Sequence, residues 1–169
     1  MTNHVTPSQL IAKELKAIGI TNKQVSVTMR GGSVQCWIKD FTIHPDTVEA
    51  IAKKYENISY CHASGEILAG GNRFVFVSYH HNAEMAATAS DEYKQIFQEV
   101  LKISAKIEGN QLLPFRETEV LIGSNHKGSY LVFNLGSRHC SGICHNQSSL
   151  AWSLYVAHKN GSLYQSLKA

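Results

Sequence analysis

The densest group of reactive side chains lies in one short segment, residues 139–145, with the sequence HCSGICH. Thiolate and imidazole are the usual ligands of zinc, and cysteines four residues apart can share one face of a helical turn. A structural zinc site, however, normally closes with ligands from two segments, and the chain has no second C-x-x-C or H-x₃₋₅-H pair. His126 and His158 could complete a site, but without diagnostic spacing. Cys140 and Cys144 are therefore either zinc ligands or ordinary thiols.

The same segment also permits a cysteine nucleophile activated by a neighbouring histidine. A catalytic base is usually supplied from elsewhere by the fold, and no G-x-S-x-G turn or third triad member is recognisable. The aspartates show no paired-acid pattern, and the glycine-rich turns at 30–32 and 70–73 do not fit a phosphate-binding loop. We therefore expect a binding protein rather than an enzyme, with a cysteine-dependent hydrolase as an alternative.

Charge is distributed unevenly along the chain, whose formal net charge is +3. No acidic residue follows Glu119, whereas basic residues and histidines continue to the end. Such a region suits an anionic partner, either a phosphate backbone or an acidic protein surface, although four cations over fifty residues are equally compatible with a solvated surface. The residues that we predict to contact a partner are Lys127, Arg138, His139 and Lys159.

Four tyrosines are further candidates for contact with a partner, since aromatic rings stack on nucleic-acid bases and also anchor protein interfaces. From the sequence we expect all four to be exposed: Tyr60, Tyr79, Tyr155 and Tyr164.

Composition limits the kind of protein. The 169 residues are 43% hydrophobic and 17% charged, which predicts a folded chain. The N-terminal sequence MTNHVTPSQL does not resemble a secretory leader, and no apolar run approaches the roughly 20 residues of a membrane span. We expect a cytoplasmic protein with reduced cysteines, of which Cys36 is buried.

Periodicity and turn residues predict the elements that position these side chains. Helices are expected over residues 6–18, 44–55, 83–107 and 146–157, with a new helix starting at Ser90 as the alternative within the third. Strands are expected over residues 24–29, 33–39, 58–62, 73–79, 118–122 and 129–135. The order α-β-β-α-β-β-α-β-β-α predicts an α+β fold, an antiparallel sheet of hairpins with helices packed on it. We expect an N-terminal α+β module over 1–109 and a C-terminal hairpin and helix over 110–169.

Four segments of the first half carry a resemblance: IAKELKAIG, QVSVTMRGGSVQCWIKD, HPDTVEAIAKKYE and RFVFVSY. In this order, within residues 10–80, they resemble a large polyvalent protein associated domain of phages and conjugative elements. The resemblance implies a mobile-element origin, and small proteins of that origin often block host defence by occupying a surface on a nuclease or its guide complex.

The prediction is thus a phage- or plasmid-encoded inhibitor of a bacterial defence system, of the anti-CRISPR or anti-restriction type. Its partner would be a host defence protein, a ribonucleoprotein complex or nucleic acid, and not a membrane. A zinc-supported nucleic-acid-binding module remains the second interpretation.

Overall fold

The structure, a computed structural model, describes residues 5–124, 129–133 and 142–163. The chain forms two compact units, Met1–His80 and His81–Ala169. Each unit has helices and a sheet of its own, so the predicted α+β class is confirmed. No helix in the described ranges is long and apolar enough to span a bilayer.

The first unit contains two helices, a 3-10 turn and three strands. In chain order these are α1 (Pro7–Ala17), β1 (Val25–Arg30), β2 (Ser33–Ile38), α2 (Pro45–Ala52), the 3-10 turn (Lys53–Tyr55) and β3 (Val75–Tyr79).

Local sequence explains the boundaries of α1. The Thr6 side chain accepts a hydrogen bond from the Gln9 amide, and the Gln9 side chain accepts one from the Thr6 amide, forming a capping box. Pro7 occupies the first turn, where its missing N–H costs nothing. Gly19, at a φ of 87°, follows the last turn in the left-handed conformation that glycine adopts most readily.

The three strands form a mixed sheet in the order β1-β2-β3. β1 and β2 are an antiparallel hairpin around Gly31 and Gly32, as predicted, because both glycines adopt the positive φ that a tight hairpin turn needs. β2 and β3 are parallel, so the prediction of a wholly antiparallel sheet is wrong here. The reason is α2, which carries the chain back across the sheet before β3 begins.

The strand predicted over residues 58–62 is not formed. The segment between α2 and β3 contains two isolated bridges instead, Asn57 with Arg73 and Tyr60 with Ile67. Tyr60, Ile67 and Leu68 are about half exposed, so this segment lacks the burial that stabilises a full strand.

The core of the first unit lies between the two helices and one face of the sheet. Its fully buried members include Ile11 of α1, Val48 of α2, and Val34, Cys36 and Ile38 of β2. The expected burial of Cys36 is therefore confirmed. Because successive strand residues point to opposite faces, this packing leaves the other face of the sheet outside the core.

The second unit contains three helices and four strands. In chain order these are α3 (His81–Ala89), α4 (Asp91–Ser104), β4 (Asn110–Phe115), β5 (Thr118–Ser124), β6 (Tyr130–Phe133), β7 (Gly142–Cys144) and α5 (Gln147–Lys159). The strands form an antiparallel sheet in sequence order.

The alternative helix start at Ser90 is confirmed, because the Ser90 hydroxyl caps α4 by accepting a hydrogen bond from the Tyr93 amide. The predicted pairing of segments 118–122 and 129–135 appears as β5 with β6. β4 was expected to be a connection because it contains Pro114. It is an edge strand, where proline is tolerated.

The expected division after residue 109 differs from the observed units. α3 and α4 belong to the second unit, since α4 packs against α5. Aromatic rings make much of this contact: the Tyr93 and Tyr155 ring centroids are 5.7 Å apart.

Candidate functional site

Most of the residues predicted to bind a partner or metal lie outside the described ranges: Lys127, Arg138, His139 and Cys140. Lys159 is described, in the last turn of α5, where its Nζ lies 3.0 Å from a carboxylate oxygen of Glu92. This ion pair neutralises part of the charge that the sequence offered to a partner. The role of Lys159 in binding stays a prediction.

Cys144 lies on β7 and is 3% exposed. Its Sγ is 3.4 Å from the Ser153 Oγ, and burial raises the pKa of the thiol, opposed by that hydroxyl. A raised pKa keeps the group as a thiol at neutral pH, and the thiolate is the form that attacks a substrate or binds zinc. Among the described residues, no three His, Cys, Asp or Glu side chains gather as a metal site would require. The zinc hypothesis stays a prediction, which metal analysis of the purified protein tests.

The four tyrosines have different environments. Tyr60 is 53% exposed, as expected, and Tyr79 is partly buried. Tyr155 is 4% exposed and packs against the Trp152 ring, so the expectation that it is exposed is wrong. Its position on the inner side of α5 places it against α4. Tyr164 lies outside the described residues.

Two surface clefts lie elsewhere on the described parts of the chain. One, of about 450 Å³, is beside α1 and is lined partly by Lys13 and Lys16. The other, of about 300 Å³, includes the ion pair of Glu99 and Arg116, 3.1 Å apart. The described lining of neither cleft contains a histidine or cysteine.

The surface that stands out is the outer face of the first sheet, which we call the open face. Its residues alternate with the buried ones along β1, β2 and β3. It comprises the strand residues and those flanking them in the same phase: Ser26, Thr28, Arg30, Ser33, Gln35, Trp37, Lys39, Phe74, Phe76, Ser78 and His80.

The strand register arranges the open face in rows. Thr28 pairs with Gln35, which pairs with Phe76, and in the next row Ser26 pairs with Trp37, which pairs with Ser78. In the row of Ser78, the large ring is therefore on β2 instead of β3.

Four aromatic side chains consequently form a row along β3, which we call the ring row: Phe74, Phe76, Trp37 of the neighbouring β2, and His80. The Phe74 and Phe76 ring centroids are 6.2 Å apart with planes inclined by 26°, and the Trp37 and His80 centroids are also 6.2 Å apart, edge to face. Phe76 is 53% exposed, and the other three rings are partly exposed. Large exposed rings in a row are unusual on a surface that contacts only water.

The charges of the open face all have one sign. Arg30 and Lys39 are exposed at opposite ends of the hairpin, and none of the open-face residues is acidic. Asp40, the carboxylate that follows Lys39, accepts hydrogen bonds from the Gln24 side chain and from Thr42. The polar groups between the rings are hydroxyls and an amide, which can donate and accept hydrogen bonds.

Sequence reasoning missed this surface, although the signal was present. In β2 the aliphatic residues occupy even positions and Trp37 an odd one, whereas in β3 Val75 and Val77 are odd and Phe76 is even. An aromatic residue out of phase with the aliphatics of its strand points away from the core. Placing the rings side by side required the β2–β3 register, which alternation alone does not provide.

Comparison with models of protein families, with curated proteins and with solved structures finds no match for this chain.

Proposed function

We propose that this chain is a binding protein that acts by occupying a surface, and that the open face is where its partner docks. The observation that carries the proposal is the exposed ring of Phe76, which lies in a row of aromatic side chains opposite the helix-covered face of the sheet. Covering the exposed half of a phenylalanine side chain contributes about 1–1.5 kcal/mol to binding. Trp37 and His80 extend the same contact.

The finer proposal is that the protein is encoded by a phage or plasmid and inhibits a bacterial defence system in the host cytoplasm. The resemblance of residues 10–80 to a large polyvalent protein associated domain supports this origin. The arrangement of the open face supports action by binding, because it presents rings and cations that a partner can cover. Its partner would be a defence protein, a ribonucleoprotein complex or the nucleic acid that such a complex handles.

The test is a phage-plaquing assay in bacteria that carry restriction or CRISPR nucleases, with the chain expressed from a plasmid. We expect the wild type to raise plaque counts against at least one nuclease and Phe76→Ala to lose that effect. Leu112→Ala is the matched control, because Leu112 of β4 is a large apolar side chain of similar exposure outside the open face. The proposal fails if the wild type protects phage from none of the nucleases, or if Phe76→Ala protects as well as the wild type.

A further inference from the structure

Building on the proposed function, we infer that the open face binds single-stranded nucleic acid, with bases stacked on the ring row and phosphates held by Arg30 and Lys39. This inference depends on the open face being the binding surface. To the proposed function, the inference adds the chemical class of the partner.

The aromatic rings of the open face suit the stacking of bases. Proteins that bind single strands without strict sequence preference combine aromatic side chains, on which successive bases stack, with cations that follow the backbone. The pairs Phe74–Phe76 and Trp37–His80 provide aromatic surface along the length of β3. A base can stack on each exposed ring, because every base has an aromatic face.

The charge of the open face also fits nucleic acid. A partner with many negative charges fits a surface whose formal charges, Arg30 and Lys39, are positive and lie at opposite ends of the hairpin. A nucleic-acid strand that runs from one end of the hairpin to the other would meet a cation near each end, Arg30 on β1 and Lys39 after β2. Acidic side chains would repel such a strand, and the open face has none.

The polar residues beside the rings favour nucleic acid over a protein partner. The fully buried centre of a protein–protein interface is more apolar than the rest of a protein surface. Here the register places Gln35 and Ser78 beside the rings, and Ser26 and Thr28 border them on β1. Hydroxyl and amide groups suit the edges of bases, whose donors and acceptors need partners when water is removed.

A double helix fits less well, because its bases are stacked on one another and are not free to stack on side chains. The inference is therefore restricted to unpaired strands, of RNA or DNA. A strand displaced or guided by a nuclease complex is of this class, which links the inference to the proposed function.

The experiment measures fluorescence anisotropy of labelled oligothymidine and oligouridine, each of about 15 nucleotides, a length near the upper site size of a single binding surface. We expect Phe76→Ala to weaken binding about tenfold, since loss of one stacked base is an effect of this order. Leu112→Ala should bind like the wild type, because Leu112 is exposed outside the open face. A hairpin duplex of the same length should bind more weakly than either single strand.

Two further variants distinguish base stacking from non-specific apolar contact. Phe76→Leu keeps much of the apolar area without the ring, so it should bind nucleic acid as poorly as Phe76→Ala, whereas a protein partner would tolerate it. Arg30→Gln should reduce the salt dependence, with the slope of log affinity against log salt falling by about 0.7.

The inference is overturned if the wild type binds neither oligonucleotide at low salt, or if Phe76→Leu and Arg30→Gln bind as the wild type does. If oligonucleotide binding is absent and plaquing still depends on Phe76, the proposed function stands and the partner is a protein. If binding depends on Phe76 but plaquing does not, the inference stands and the proposed function fails.

Discussion

In the first unit, Phe76 and Trp37 lie on the outer face of a sheet, whereas in the second unit Tyr93 of α4 and Tyr155 of α5 pack against each other. The Tyr93 and Tyr155 ring centroids are 5.7 Å apart, edge to face, and Trp152 adds a further ring at 5.8 Å from Tyr155. Burial raises the pKa of both tyrosines. The rings of the second unit therefore contribute to the fold of that unit.

The difference follows from the periodicity of the elements. On α5, Tyr155 is on the helical face that also presents the fully buried Ala151 one turn earlier, so its ring is directed into the packed side. On β3, Phe76 falls between the more buried Val75 and Val77, so its ring must point to the other side. Aromatic content alone does not distinguish a core from a binding surface, but the phase of each ring relative to the aliphatic residues does.

The largest effect that tests this comparison is on stability. We expect Tyr155→Ala to lower the free energy of unfolding by about 3 kcal/mol, because it leaves a cavity between two packed helices. Phe76→Ala should lower it by only about 1 kcal/mol, since half of that side chain is already exposed. Urea denaturation followed by circular dichroism measures both.

Tyr155→Phe is the control for this pair of variants. It keeps the ring and removes only the hydroxyl, which hydrogen-bonds with Ser90, so the expected loss is about 1 kcal/mol. Equal losses for Tyr155→Ala and Phe76→Ala would show that the two rings are in similar environments and would contradict the comparison.

Elements with strong local signals were predictable from the sequence. The capping residue Thr6, the glycine turn at residues 31–32 and the alternation in β2 placed α1 and the β1–β2 hairpin to within about two residues of the observed bounds. The start of α4 at Ser90 was also available as an alternative. In each case the deciding interactions lie within a few residues of one another, so they are visible in sequence.

Features that depend on distant parts of the chain were not predictable. The parallel pairing of β2 with β3 depends on where α2 packs, and Trp37 and His80 are in contact only because of that register. β4 was missed because Pro114 normally interrupts a strand, and only its edge position makes it tolerable. The candidate site combines residues from three strands, so the sequence predicted a binding protein without locating this surface.

A second test uses acid to compare the units, beginning with His158 of α5. Burial, followed by the charge of Arg116, lowers the pKa of His158 below its usual 6.5, and Lys159 acts in the same direction while Glu92 and Glu99 oppose it. Below pH 6.5 the unfolded chain binds a proton more readily than the folded one, so stability falls as the pH falls. We expect His158→Gln to show a smaller loss of stability than the wild type between about pH 7.5 and 5.5. A loss of stability in His158→Gln equal to that of the wild type would contradict the assignment of this pH dependence to His158.

The smallest expected effect is in the first unit, where Glu14 of α1 accepts hydrogen bonds from the Tyr55 hydroxyl and from Lys54. These two contacts, the Tyr55 bond first, lower the pKa of the Glu14 carboxyl below 4.5, so its contribution is complete above pH 4.5 and is lost as the pH falls below that value. Acid unfolding followed by circular dichroism should show Glu14→Gln less sensitive than the wild type only below about pH 4.5. The His158 effect begins at a higher pH and is present in both proteins, so a difference between Glu14→Gln and the wild type in the loss of stability near pH 6 would contradict this separation of the two units.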